Sequence, residues 1–355
     1  MHDGITGAAV VIANGHYQTP DAKVSHGLVR GSDRFRVRAV IDPDCAGADA
    51  GFALDSIHRD IPVVAELADA LRCAAEPLDY AIIGVATHGG ALTPDIKRVV
   101  ASAIDAGLGI INGLHDLVGD DVDLATSARR RGVAIVDLRR PRPARELHFW
   151  SGAIRGVRTP RVAVLGTDCA LGKRTTTRLL TGALRASGIR AEMIYTGQTG
   201  WMQGARYGFI LDSTLNDFVS GELEHAVLEC ERGSKPDVML LEGQSSLRNP
   251  TGPCGAELLL SGGASGVVLQ HAPRRRFFDG DSEPIPPLAS EIALIAAYGV
   301  DTLAVTLNTD GMADDTRQTE AHRLRVELGI PVLCPLEDGI DELVGLVRDH
   351  IDKPL

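Results

Sequence analysis

The sequence predicts an α/β protein of two units, each built on a mostly parallel, doubly wound sheet. Three observations predict it. Short runs of Val, Ile, Leu and Ala alternate with segments carrying a helical apolar stripe, the order expected of strand–helix–strand units. Glycine is plentiful, at 39 of 355 residues, whereas aromatic residues make up 4%, which suits tight strand-to-helix turns. The stretch Arg139-Arg140-Pro141-Arg142-Pro143 interrupts the alternation and leaves each side room for its own core. The expected division is 1–150 and 151–355.

In the first unit, residues 7–13 and 37–42 are apolar runs ending in turn residues, and they read as strands. The segment 64–74 reads as a helix, with Leu67, Ala70 and Leu71 on one stripe. A buried strand at 80–85 enters the turn Thr87-His88-Gly89-Gly90, and a helix over 94–106 follows with Pro94 in its first turn. Strands at 109–112 and 133–137 complete the series. The first turn, Ala13-Asn14-Gly15-His16, has no G-x-G-x-x-G. Asp42 stands alone where a ribose-binding acid would lie. The unit therefore reads as a degenerate Rossmann-like domain rather than an NAD site.

The second series is stronger. Strands are expected at 161–165, 191–195, 238–241, 266–270, 302–307 and 332–334, with helices at 173–187, 214–232, 288–298, 316–328 and 339–350. Between its first strand and first helix lies Gly166-Thr167-Asp168-Cys169-Ala170-Leu171-Gly172-Lys173-Arg174-Thr175-Thr176. Main-chain N–H groups at a helix start lack partners and face an anion favourably; Lys173 adds a full charge, and Gly172 removes a Cβ from the approach. The helix is expected to turn Leu179, Leu180, Ala183 and Leu184 inward. The glycine spacing is one longer than the common G-x4-G-K-[ST], and Arg174 stands where the hydroxyl usually follows the lysine. Correct strand and helix context makes this a phosphate loop, and the unit a P-loop NTPase-like domain.

Other turns fall at the carboxyl ends of the same strands, where open parallel sheets bind ligands. Glu242 ends one strand and is placed either to hold Mg²⁺, with Thr175, or to take a substrate proton. The turn Thr196-Gly197-Gln198-Thr199-Gly200 ends another, and Gln270-His271-Ala272-Pro273-Arg274 a third, with His271 a candidate base and Arg274 to Arg276 candidate carboxylate partners.

Composition excludes several function classes. A net charge of −11, with basic clusters that are short and free of interleaved aromatics, argues against nucleic acid as a partner. The six cysteines are scattered, without a CxxC pair, which fits reduced thiols in a cytoplasmic protein. No leader pattern is seen, and no apolar run approaches the ~20 residues needed to span a bilayer, so no membrane association is expected.

The loop resembles that of dethiobiotin synthetase, whose relatives contact adenine at the position Asn308 occupies. Taken with Thr196-Gly-Gln-Thr-Gly, Leu241-Glu-Gly-Gln and Leu269-Gln-His-Ala-Pro, it resembles the DgcN-type D-glutamate N-acetyltransferase family across both domains. The resemblance implies acetyl transfer from acetyl-CoA to the amine of D-glutamate, a small amino-acid substrate, in D-amino-acid catabolism. Coenzyme A carries a pyrophosphate and a 3′-phosphate, which Gly166, Thr167, Asp168, Gly172, Lys173, Arg174, Thr175 and Thr176 would grip. His271 or Glu242 would be the base, loop N–H groups the oxyanion donors, and Arg206 or Arg274 the carboxylate partners, with Gln198 and Thr199 beside the substrate. Cys169 as an acetyl carrier is weighed against a small residue filling a tight loop. The rival readings are an ATP/Mg²⁺-dependent ligase or kinase, and a nucleotide-binding regulator. A homo-oligomer is expected by analogy with related two-domain enzymes.

Overall fold

The computed structural model describes residues 4–353. The chain folds as two compact units: the portion up to Pro141 together with Gln198–Gly204, and Arg142–Gly197 together with the portion from Ala205 onward. The first unit therefore takes in a short segment that a division at residue 150 assigns to the second. Polar contacts explain why it packs there. Gln203 Nε2 donates to the carbonyls of Gly27 (2.6 Å) and Gly31 (3.0 Å), and Ser32 Oγ donates to that of Met202 (2.8 Å). Arg34 donates to the Trp201 carbonyl (2.8 Å) and lies 4.1 Å over the Trp201 ring.

The first unit runs β1 (Gly7–Ile12), α1 (Lys23–Arg30), β2 (Phe35–Ile41), α2 (Ala50–Asp55), β3 (Val63–Val64), α3 (Leu67–Cys73), β4 (Tyr80–Ile83), α4 (Pro94–Asp105), β5 (Gly109–Asn112), α5 (Val122–Arg131) and β6 (Ile135–Asp137). Its sheet is parallel in the order β3-β2-β1-β4-β5-β6, the Rossmann order. Val10, Ile12, Ala81 and Ile83 alternate onto one face and pack against Ile96, Val100 and Ile104 of α4. Leu67 and Ala70 are buried, but Leu71 is exposed, because so short a helix buries a narrower stripe than the sequence suggested. The turn after β1 is closed on itself. Asp42 is fully buried and its two oxygens accept from the N–H groups of Gly15, Tyr17, Asp44 and Cys45 at 2.8–3.2 Å. A carboxylate has about four acceptor positions, so these bonds saturate it and it has no oxygen to spare for a ribose.

The second unit continues with β7 (Arg161–Gly166), α6 (Lys173–Ala186), β8 (Ala191–Tyr195), β9 (Tyr207–Gly208), α8 (Asn216–Ser234), β10 (Val238–Glu242), α9 (Ala256–Leu260), β11 (Gly266–His271), α10 (Leu288–Ala297), β12 (Asp301–Leu307), α11 (Asp314–Leu328), β13 (Val332–Leu333) and α12 (Asp341–Ile351); α7 (Gln198–Met202) is the segment that packs in the first unit. All its strand pairs are parallel, in the order β13-β12-β11-β7-β10-β8-β9. Alternate residues of each strand serve opposite layers. Ala163, Leu165, Leu241 and Leu269 meet Leu223 and Val227 of α8, whereas Val162, Val164, Leu240 and Val268 meet Leu180 and Leu184 of α6 and Leu343 and Val347 of α12. At about 1.5–3 kcal/mol for each fully buried large aliphatic side chain, these two layers hold the sheet in place behind the site. Leu179, expected to face inward, is 38% exposed; the buried stripe of α6 runs instead through Thr177, Leu180, Thr181 and Leu184.

Position in the sheet sets up the site. The central strand β7 lies between β11 and β10, and all three deliver their carboxyl ends, and the loops that follow, to one edge.

Candidate active site

The loop between β7 and α6 departs from ordinary backbone at two places. Ala170 has φ +51° and Gly172 φ +102°, and such left-handed residues turn successive N–H groups toward a common hollow. From Asp168 to Lys173 the main-chain N–H groups find no acceptor among the described residues. On either side the bonds resume: Thr167 N–H donates to the Gln270 carbonyl (3.0 Å) and Thr176 N–H to that of Gly172 (3.0 Å). The open donors sit at the start of a 14-residue helix, whose dipole adds partial positive charge. Gly166 is needed for a different reason. A Cβ there would lie 2.9 Å from Cδ of Lys173, whose stem folds over it.

Lys173 is buried, and its ammonium donates to the carbonyls of Asp168 (2.5 Å) and Ser245 (2.7 Å). Burial pulls its pKa down to about 8, so it is still a cation at neutral pH, held in place by neutral acceptors. Ser245 adopts φ +38°, and the preceding Gly243 is pressed so closely on β7 that a Cβ would lie 2.2 Å from the Val164 carbonyl oxygen. Thus the exit of β10 is fitted against β7 to present that carbonyl to the lysine.

Asp168 was expected to contact a ligand, and its side chain does not face one. The fully buried carboxylate accepts from Asn249 Nδ2 (2.8 Å), Arg275 Nη1 (3.0 Å) and Asp279 N–H (2.8 Å), leaving only the main chain of this residue to the hollow. Arg275 also donates to the Cys169 carbonyl (2.7 Å), so it serves the loop rather than a substrate carboxylate. Cys169 Sγ contacts Ser245 Oγ at 3.3 Å and is partly exposed.

The hydroxyls divide between outside and inside. Thr176 Oγ1 donates to Gln270 Oε1 (2.6 Å), which also accepts from Thr306 (2.7 Å), so Thr176 is turned into the core rather than toward a ligand. Thr167 Oγ1 lies 3.0 Å from His271 Nδ1. Arg174 and Thr175 are half-buried in the first turn of α6. Asn308 reaches back from the end of β12 and donates to the Leu171 carbonyl (3.1 Å), bracing the loop.

Glu242 closes the site from β10. It is buried and accepts from Thr196 N–H (3.0 Å) and the Gly197 N–H, while Thr196 Oγ1 donates to its carbonyl (2.8 Å). Burial raises its pKa, with Arg174 the strongest opposing charge. Burial has the opposite effect on His271, whose pKa falls to about 4, so its imidazole is neutral and weakly basic.

The predicted substrate residues are dispersed among different elements. Gln198 and Thr199 are buried in the first unit, with Gln198 packed against Gly113. Arg206 precedes β9 and lies 5.1 Å over the Tyr207 ring, whose hydroxyl meets Ser234 at the far end of α8, near the strands' amino ends. β9 pairs with the last two residues of β8, which leaves the Arg206 main chain beside the middle of β8, and its stacking on Tyr207 is what turns the guanidinium away from the loop edge. Arg274 is at the loop edge, exposed, with a hydrogen bond to the Gly311 carbonyl. Sequence reasoning missed Asn249, although Asn249-Pro250 is a turn dipeptide in the segment after β10 and marked a loop worth placing.

No helix among the described residues is long and apolar enough to cross a membrane. Residues 148–344 match the family model described as "Domain of unknown function (DUF1611_C) P-loop domain", and residues 43–141 match the one described as "Domain of unknown function (DUF1611_N) Rossmann-like domain". Two curated relatives, from Pseudoalteromonas sp and Tritonibacter scottomollicae, are each named D-glutamate N-acetyltransferase. They are 28% identical to this chain over 273 and 271 residues, which is 74% of it and 80% and 79% of their own lengths. A crystal structure of a DUF1611 family protein from Anabaena variabilis aligns with a TM-score of 0.87 at 29% identity, covering 96% of this chain and 99% of that one.

Proposed function

The chain belongs to the DUF1611 family, and from that premise we propose that it is an N-acetyltransferase moving acetyl from acetyl-CoA to the amine of D-glutamate, with the coenzyme's phosphates in the loop 166–176. The observation that carries this reading is the row of unpartnered N–H groups from Asp168 to Lys173 beside a buried ammonium. Such a row at a helix start offers an anion several donors at once. Acetyl-CoA supplies the activated acyl group; the chain's own residues have to hold it, free the amine and steady the oxyanion.

Of the two candidate bases, Glu242 is the better suited. A carboxylate whose pKa is raised by burial accepts a proton more readily, whereas His271 at about 4 is a poor match for an ammonium substrate. Glu242 takes one proton from the ammonium, the amine nitrogen bonds to the acyl carbon, and the carbon–sulfur bond breaks, with the second nitrogen proton passing to the departing thiolate so that it leaves as the coenzyme thiol. His271, fixed against Thr167, orients the loop, and Arg274 receives a substrate carboxylate.

The test is to incubate the protein with acetyl-CoA and D-glutamate, and separately with ATP, Mg²⁺ and D-glutamate, assaying free thiol and ADP. Thiol release that requires D-glutamate and yields N-acetyl-D-glutamate by mass spectrometry supports the reading. ADP release without thiol release makes the protein an ATP-dependent enzyme instead and ends it.

A further inference from the structure

Phosphate loops commonly bring a Mg²⁺ ion with them, held by the hydroxyl that follows the lysine and by a carboxylate at a neighbouring strand end. The residues of this site do not fit that ion. The position after Lys173 is Arg174, a cation. The Thr176 hydroxyl is committed to Gln270, and the Asp168 carboxylate to Asn249, Arg275 and the Asp279 N–H. Thr175 brings a hydroxyl one place late. Glu242 remains, but it already accepts two main-chain N–H groups, and the charges acting most strongly on it include those of Arg174 and Lys173. An ion that demands octahedral oxygen ligands would meet the positive charges that already act on Glu242, those of Arg174 and Lys173.

We propose that Arg174 takes the place of the divalent cation, making the loop a metal-independent anion cradle selective for the metal-free phosphates of a coenzyme A-type ligand over a nucleoside triphosphate–Mg²⁺ complex. The chemistry follows from the side chain. A guanidinium offers a planar fork of donors that can meet two phosphate oxygens at once, and it keeps its charge at every physiological pH. Anchored in the first turn of α6, it lies on the same helix terminus as the open N–H row, so that cation, dipole and ammonium act on one anion. Its charge also favours the ionised form of Glu242, the carboxylate that acetyl transfer uses as base, so the group that neutralises the donor also keeps the base ready. The inference rests on the reading above in placing phosphates in this loop, but it concerns how they are neutralised.

Isothermal titration of the full chain with coenzyme A, and separately with ATP, in excess EDTA and in excess Mg²⁺, tests it. Coenzyme A is expected to bind in EDTA with an affinity that Mg²⁺ changes by less than about twofold, and ATP is expected to gain nothing from Mg²⁺. Arg174→Ser, which restores the usual Gly-Lys-Ser order, is expected to lose about tenfold or more in coenzyme A affinity in EDTA, roughly 1.4 kcal/mol. Arg174→Lys retains metal independence, and thermal melts confirm that both variants fold. Tightening of either ligand by tenfold in Mg²⁺ on the native protein overturns the inference. So does Arg174→Ser binding coenzyme A as well as the native chain in EDTA, or no saturable binding of coenzyme A without metal. A protein that binds coenzyme A without metal yet acetylates nothing sustains this inference while ending the acetyltransferase reading; one that acetylates only with Mg²⁺ does the reverse.

Discussion

Raising the pH should switch off the anion site through a single group. Lys173 is a loop cation whose charge is open to titration near physiological pH, because burial has brought its pKa from the ordinary 10.5 to about 8. If a phosphate ligand binds only the ammonium form, its apparent dissociation constant rises as the lysine loses its proton in the free protein. The factor is one plus ten to the power of pH minus 8, which is about tenfold at pH 9 and about thirtyfold at pH 9.5, or roughly 2 kcal/mol. Between pH 6.5 and 7.5 the same relation predicts a change of only about 1.3-fold. Titration with 3′,5′-ADP, whose phosphate monoesters have second pKa values of about 6 and are almost fully ionised above about pH 7, isolates the protein's contribution from there upward. The control is Lys173→Arg, whose charge persists, and which should flatten the profile even if absolute affinity falls. An affinity for the native protein that stays level from pH 7 to 9.5 would mean that the ammonium does not face the bound anion, and the site as drawn here is wrong.

Other perturbations probe the frame around it. Asp168→Asn replaces an acceptor of three internal bonds with a group that presents donors to donors. Allowing for the partial exposure of Arg275, we expect about 2–4 kcal/mol of destabilisation, read as a lower urea midpoint; an unchanged midpoint refutes the hub. Gly243→Ala sets a Cβ 2.2 Å from the Val164 carbonyl oxygen and should cost about 1–3 kcal/mol while displacing the Ser245 carbonyl from Lys173, so that stability and ligand affinity fall together. His271 sets an acid limit. Its folded pKa of about 4 lies below the unfolded 6.5, so on acidification the unfolded chain takes up the proton first. The contribution is complete above pH 6.5 and is lost as pH falls toward 4, about 2 kcal/mol between pH 7.5 and 5. His271→Gln should remove that part of the acid slope, and an identical slope in the variant contradicts the burial argument.

Much of the architecture was legible because its signals are local. The strands of the second unit are short aliphatic runs of the kind a sheet covered on both faces requires, and the structure places them within a residue or two of their expected bounds. The short elements were not legible: β3 and β9 are two residues each, too brief for any periodicity, and α7 is five. The phosphate loop was visible because its glycines, lysine and helix start lie in one continuous segment, so main-chain geometry alone prescribes an open row of donors.

Side-chain roles fared differently, for a reason that separates the two levels. A sequence states which groups exist and how far apart they lie along the chain, and that suffices for a site made of consecutive amides. It does not state which partner reaches a given carboxylate first. Asp168 was expected to face a ligand, yet its carboxylate is saturated by donors from its own unit, as is that of Asp42 at the end of β2. Arg206 was expected to receive a substrate carboxylate, yet its guanidinium stacks on Tyr207, whose hydroxyl meets Ser234 away from the loops. The sequence by itself therefore determined the α/β layering and the anion-seeking loop, which depend on local backbone preference. Only the tertiary structure decided which polar groups remain for a ligand, because hydrogen-bond satisfaction in a buried site is settled by groups brought together from distant parts of the chain.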